Sequence, residues 1–389
     1  AVNLKDLIAD GGNITLAGRV VNQAGLIRAD SVRERNGKIE LLASEAVTLQ
    51  DGSRTLARGD SSGVSKGGTI RAIADLKSGT TTFKKGALVD VSGGKMGGHG
   101  GFAEVSGATV RLGGQFLGRA MTGFKGGRFL IDQIVSTVGP TDFASFENSG
   151  ASEVTFQSPV GSDLVVTGQY DLGAGWTLPG TPGTLNFLAG ANLIFDNARL
   201  TNNNSNARWD YVGSADGDIL FSNSQVTTGF GGNMQFSAPN GNISLVNSFG
   251  QLSMLRNSAA GGNLTLAAGL DIISPTARVN YVAPRLLGGI RLDGPGNLTI
   301  TAGNDFVGGS VSGQFIGPGF VLANGTATVT AGRNIGGAQK GVATTDPDQY
   351  ANLTLGSGTI NLTAQSGSIY LGRVQDMGAA DTPGTIRLP

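Results

Sequence analysis

The sequence predicts an all-β fold: a right-handed parallel β-helix, a solenoid with extra-helical loops. Three observations predict it. First, one short strand motif recurs. Gly261-Gly-Asn-Leu-Thr-Leu-Ala-Ala-Gly269 returns as Asn297-Leu-Thr-Ile-Thr-Ala-Gly303, Thr326-Ala-Thr-Val-Thr-Ala-Gly332 and Asn361-Leu-Thr-Ala-Gln-Ser-Gly367. Earlier copies are Gly12-Asn-Ile-Thr-Leu-Ala-Gly18, Thr184-Leu-Asn-Phe-Leu-Ala-Gly190 and Asn233-Met-Gln-Phe-Ser-Ala238. Second, residues alternate in kind within each copy. Leu264 and Leu266 take one face and Asn263 and Thr265 the other, the period of a strand. Third, glycine supplies 65 of 389 residues. It lacks the three-residue period of collagen, and it interrupts any 3.6-residue apolar stripe a helix would need. Glycines flanking each strand let the chain turn with positive φ. A single strand of this kind cannot bury its apolar side, whereas a stack can.

Composition narrows the function classes. Aromatic residues are 6% and hydrophobic residues 39%, mostly small or β-branched, which suits a thin interior. Formal charge is balanced at 28 basic and 28 acidic residues, against nucleic acid as a main partner, since phosphate binding needs a basic stripe. Residues 1–132 hold about 18 basic against about 12 acidic residues, an asymmetry that a solvated surface accommodates. With no cysteine there is neither a disulfide frame nor thiol chemistry. No apolar run reaches membrane-spanning length. Ala1-Val-Asn-Leu has no basic leader region, so a processed or excerpted piece is expected.

Taken in order, residues 1–60 read as short strands with sharp corners: Ile14-Thr-Leu, Val20-Val21, Leu26-Ile27, Ile39-Glu-Leu-Leu and Val47-Thr-Leu49. Val32-Arg-Glu-Arg-Asn36 is a charged corner. Ser61–Gly68 is a Gly/Ser-rich bulge between coils. Strands follow at Thr69–Ala74, Thr80–Phe83, Ala87–Val91, Phe102–Gly107 and Gly126–Asp132. Pro140, Pro159, Pro179 and Pro182 cluster with Trp176 and Trp209 in an elaborated or boundary region, where Leu178–Gly183 and Thr201–Asn206 read as loops. The repeat resumes near Asp218. Gly269, Gly303 and Gly332 imply coils of 29 to 34 residues there. Coils averaging about 25 residues would number about 15 in the whole chain. Three segments result: 1–135, 136–212 and 213–389.

The first segment carries a resemblance. Asn13-Ile-Thr-Leu-Ala-Gly18, Asn22-Gln-Ala-Gly-Leu-Ile-Arg-Ala29 and Gly37-Lys-Ile-Glu-Leu-Leu-Ala43 are similar to stacked strands of filamentous-haemagglutinin-type exoproteins. Gly100-Gly-Phe-Ala-Glu-Val-Ser-Gly107 resembles that family's Gly-Gly-Phe-Val-Glu-Val-Ser-Gly signature. Gly127-Arg-Phe-Leu-Ile-Asp132 stands where the family has Gly-Thr-Leu-Leu-Leu-Asp-Pro, with Gln133 in place of the proline. The family's early Asn-Pro-Asn-Gly motif is missing. Beyond residue 135 the likeness is one of repeats, such as Ala268-Gly-Leu-Asp-Ile272, Ala302-Gly-Asn-Asp-Phe306 and Ala331-Gly-Arg-Asn-Ile335. The resemblance implies a two-partner-secretion adhesin. Such a chain is exported through an outer-membrane transporter partner and displayed at the bacterial surface.

Candidate chemistry is sparse. His99 is the single histidine, so no Ser/His/Asp triad or two-histidine metal site can form within the chain. Its glycine-rich corner reads as structural, and Gly97-Gly-His-Gly-Gly101 lacks the context of a phosphate loop. Asp210, Asp216 and Asp218 lie beside Trp209 and Tyr211. Such carboxylates and rings could contact a carbohydrate or hold calcium; a solvated loop is the plainer alternative. Asp346-Pro-Asp348 reads as a turn. The recurrent Asn13, Asn263, Asn297, Asn352 and Asn361 are expected to cap turns or stack as amide ladders; the Asn-x-Thr triplets among them also spell glycan acceptors. No cofactor is implied.

The expected function is therefore that of a chemically quiet, rigid β-helical rod, not an enzyme: a surface adhesin or extracellular filament. Exposed strand ends would let subunits stack end to end. The alternative is a β-helical carbohydrate-binding or carbohydrate-cleaving protein of tail-spike or lyase type. A third reading is a passive spacer for a working domain elsewhere.

Overall fold

The computed structural model describes residues 1–389 except 33–34, 135, 174, 177–181, 204–206, 247–252, 276, 280–284, 288, 312–313, 338–349, 377–384 and 388–389. The described chain is nearly all β, with parallel strands stacked as a solenoid. One helix, Pro140–Ala144, interrupts it. Proline opens that helix, and the Asp142 carboxylate accepts the Gly139 backbone N–H at 2.8 Å. Coil length varies. Thr15 lies beside Glu40, 25 residues on, whereas Asn263 lies beside Asn297, 34 residues on. Coils longer than the expected average of about 25 residues make the turns fewer than about 15, the number that average would give.

Contacts divide the chain into two compact units. One comprises Ala1–Leu164, Leu172–Leu188 and Asn206–Arg208; the other comprises Val165–Asp171, Ala189–Ser205 and Trp209–Pro389.

In the first unit each coil contributes strands to three columns. Ile14 pairs with Ile39, Ile39 with Ile70, Ile70 with Ala103, Ala103 with Phe129, and Phe129 with Val154, all in parallel. The second column runs through Val47, Thr81 and Val110, the third through Ile27, Thr55, Val89 and Phe116. The long strand Asn13–Gln23 rounds a corner at a register shift between Gly18 and Val20, so it serves two columns. Inward residues fill a narrow core. Phe116 stacks on Phe146 at 4.8 Å and meets Phe83 edge-on at the same separation.

The second unit repeats the plan. Tyr211, Met234, Leu264, Leu298, Ala327 and Ile360 form one column. Ile219, Ile243, Ile272 and Phe306 form another, and Val226, Leu255, Ile290 and Phe320 the third. Leu264, Leu266, Leu298 and Ile300 are all fully buried, as the alternation predicts. Two antiparallel hairpin pairings stand apart from the columns: Ala277–Val279 with Arg285–Leu287, and Gly309–Val311 with Gln314–Ile316.

Two expectations are corrected. The copy beginning at Asn361 is displaced by two residues, because Ala327 pairs with Ile360 and Thr328 with Asn361. A slip of two preserves the facing of every side chain, so the pattern could not reveal it. Gly261, Gly262 and Gly325 turn with positive φ as expected, but other repeat glycines have a different reason. Gly296, Gly303 and Gly332 do not have positive φ. At each, a methyl group would overlap the carbonyl oxygen of the glycine one coil earlier: Gly262, Gly269 and Gly303. Close approach of stacked backbones, not turning, keeps these positions bare.

Residues 178–181 of the expected loop Leu178–Gly183, 204–206 of the expected loop Thr201–Asn206, the turn at Asp346–Asp348 and the middle of the 32–36 corner fall outside the described residues, while Gly183 and Thr201 are strand residues.

Candidate functional site

The predicted cluster does not form a surface site with its rings. Strand Trp209–Ala215 directs Trp209 and Tyr211 inward, where they are 1% and 0% exposed. Neither ring can stack on a sugar. The strand period dictates this: Asp210 lies between them and faces out. Its carboxylate accepts the Asn233 backbone N–H at 2.8 Å and the Asn233 side-chain amide at 3.3 Å. Asp218 does the same for Asn242, at 2.7 Å and 3.1 Å. Asp216 is exposed, and its backbone N–H donates to the Ala189 carbonyl. Among the described residues no three His, Asp or Glu side chains gather as a metal site would require.

Asp210 and Asp218 instead begin or extend ladders. Asn192 Oδ1 accepts the N–H of Asp218, Asp218 that of Asn242, and Asn242 that of Asp271. Asp271 accepts from Asp305, Asp305 from Asn334, and Asn334 from Ser368. A shorter column runs from Asp210 through Asn233 and Asn263 to Asn297. Each side chain satisfies a corner N–H that no neighbouring strand reaches. For Asn263 this realises the expected stacking, as a side-chain-to-backbone bond rather than an amide–amide one.

Two features of the first unit escaped sequence reasoning. The first is a groove of about 320 Å³ bordered by Lys66, His99, Lys125, Arg128, Phe102 and Ser152, with glycines beneath. Lys125 and Arg128 lie on one coil and Lys66 two coils earlier, so no short sequence window contains all three. His99 keeps the structural role expected of it: Nδ1 accepts the Lys125 backbone N–H at 2.9 Å, and its ring meets Phe124 edge-on at 5.4 Å. Arg128 lies over the Phe102 ring, 5.7 Å from its centre.

The second is a pair of carboxylates on the outer face of adjacent strands, Glu104 and Asp132. Glu104 pairs with Arg71 at 3.2 Å. Asp132 is half-buried, and its carboxyl is raised above the usual range, first by loss of solvent and then by Glu104. The signal for the groove was the basic surplus before residue 132, which showed that charges were there but not where they met.

No helix among the described residues is long and apolar enough to cross a membrane. No protein-family model, curated protein or solved structure matches the chain.

Proposed function

We propose that this chain is a secreted, bacterial surface-displayed β-helical fibre acting in adhesion, cell aggregation or as an extracellular scaffold. The observation that carries the reading is the use made of its polar side chains. From Asn192 to Ser368 the Asp and Asn residues at one corner are bonded to the next coil. Side chains that would otherwise be candidates for chemistry hold the stack together. The likeness of the first 135 residues to haemagglutinin-type exoproteins supports export through an outer-membrane partner and display outside the cell. Such a protein acts through length and repeated surface. Its partners on this reading are other copies, matrix polysaccharide or a host receptor, and not nucleic acid.

Electron microscopy of purified protein at rising concentration tests the scaffold role. Filaments or bundles are expected. Isolated monomers alone, at high concentration, would count against it.

The carbohydrate-cleaving alternative draws on one observation, the Glu104–Asp132 pair with its raised carboxyl, since such a group can serve as a general acid. Depolymerisation of a polysaccharide that is lost in Asp132→Asn and kept in Asp210→Ala would favour it over the fibre.

A further inference from the structure

We propose that the groove bordered by Lys66, Lys125 and Arg128 binds a linear acidic polysaccharide through the carboxylates along its length. The inference deepens the adhesive reading above, and the two can fail separately, because copies could assemble without binding any sugar.

The groove's floor and rim have different origins. Gly100, Gly101 and Gly126 lie in the floor. At each, a methyl group would overlap backbone of a neighbouring coil: Gly127 N, Gly68 O and Gly150 O respectively. Stacking therefore forces a side-chain-free trough. Two of the backbone donors in that trough are already committed. Gly100 N–H donates to the Lys125 carbonyl and Gly101 N–H to the Val91 carbonyl. Recognition of charge falls to the rim side chains.

The rim is cationic and unneutralised. Lys66, His99, Lys125 and Arg128 are all exposed. Among the described residues, Lys66, Lys125 and Arg128 make no ion pair. Other cations of the unit do: Arg28 with Asp10, Arg58 with Asp30 and Arg71 with Glu104. Glu153 is the register partner of Arg128, yet among the described residues the two form no ion pair. The cation–π contact with Phe102 holds the Arg128 guanidinium without spending its hydrogen-bond donors.

The spacing selects the ligand. Gly67 N–H bonds to the His99 carbonyl, and Gly100 N–H to that of Lys125. Lys66, His99 and Lys125 thus stand on successive coils, about 4.8 Å apart per coil. The two ammonium groups, Lys66 and Lys125, therefore stand two coils apart, as a spaced row rather than a cage. A lone phosphate would need donors converging on one point. A chain with a carboxylate on each sugar can set carboxylates against these separated cations, and its hydroxyls can reach Ser152 at the groove's edge. Nucleic acid is disfavoured because Arg128 lies over one face of Phe102 and the His99 ring packs edge-on against Phe124, so the groove has no paired stacking platform.

The test is affinity electrophoresis and titration of the full chain with de-esterified polygalacturonate at low salt. Neutral dextran, dextran sulfate and single-stranded DNA are the comparison arms. Polygalacturonate is expected to bind, with affinity falling as salt rises. The variant Lys66→Gln/Lys125→Gln should bind at least about tenfold more weakly. The charge-matched control Lys84→Gln/Lys85→Gln, also exposed and in the same unit, should bind within about twofold of the parent. Lys125→Arg should retain binding, and far-UV circular dichroism confirms that each variant is folded. Absence of polygalacturonate binding overturns the proposal. So does an equal loss in the control pair, which would show attraction to net charge alone. Tighter binding of dextran sulfate or DNA would overturn the assignment to a carboxylated sugar.

Discussion

Asp305 Oδ1 accepts the backbone N–H of Asn334 at 2.8 Å and its side-chain amide at 3.1 Å, while Oδ2 meets Arg333 at 2.7 Å. One buried carboxylate thus ties two residues of the next coil. Asp305→Ala leaves a corner N–H and a guanidinium without their acceptor and should cost about 2–4 kcal/mol. Asp305→Asn keeps an oxygen for Asn334 and should cost about 1 kcal/mol. Solenoid stability is a sum over neighbouring coils, so hydrogen exchange at Asn334 should rise more than exchange in distant coils. Denaturant midpoints of both variants, with exchange mapping, check this.

The glycine column gives a graded expectation. Gly296→Ala drives a methyl into the carbonyl oxygen of Gly262 and should destabilise by about 3 kcal/mol or more. Gly63→Ala meets nothing within 4 Å and has no positive φ, so its effect should stay within about 0.5 kcal/mol. Gly52 is equally open but has φ of 73°; alanine there should cost about 1 kcal/mol from backbone strain alone. Thermal or urea unfolding of the three variants separates crowding from conformation.

Much of this fold is written in the alternation of side chains. Leu264 and Leu266 announce a buried face through period two alone, and both are fully buried. Other features depend on neighbours one coil away, which the sequence does not align. The displaced copy at Asn361 keeps the same facing after a two-residue slip, so its register is invisible to pattern. Trp209, Asp210 and Tyr211 look like a sugar site when grouped by chemistry, but their own alternation places the rings in the core. The groove's cations are brought together by coil length, as with His99 and Lys125, 26 residues apart. The feature that defeats sequence reading is contact between coils.

Tyr211 offers a test of the core. Its hydroxyl is buried and, among the described residues, has no hydrogen-bond partner. Burial, and then Asp171, pushes its ionisation well above that of a free tyrosine. Tyr211→Phe removes an unsatisfied polar group at nearly constant volume. It should be neutral or stabilising by up to about 1 kcal/mol. A loss of 2 kcal/mol or more on the scale of an unmade hydrogen bond would show that the hydroxyl has a partner in solution.

Asp132 sets a pH dependence of definite sign. Its carboxyl is raised in the folded state, by burial first and Glu104 second. The ionised form is therefore a burden on the folded chain above the folded value, and protonation relieves it as pH falls towards the ordinary carboxylate range. Asp132→Asn should be more stable than the parent at pH 7, by less than about 1 kcal/mol given its partial exposure. The gap should close on acidification. Stability curves of the two proteins between neutral and acid pH check the direction.

The most direct test of the stacked-coil account uses the absence of native cysteine. Thr265 and Thr299 are register partners on the outer face of adjacent coils. Parallel partners stand about 4.8 Å apart, within disulfide reach. Thr265→Cys/Thr299→Cys should cross-link on mild oxidation, whereas Thr265→Cys/Thr301→Cys, offset by two residues along the strand, should not. Equal cross-linking of both pairs, or of neither, would contradict the in-register stack on which the fold and its proposed function rest.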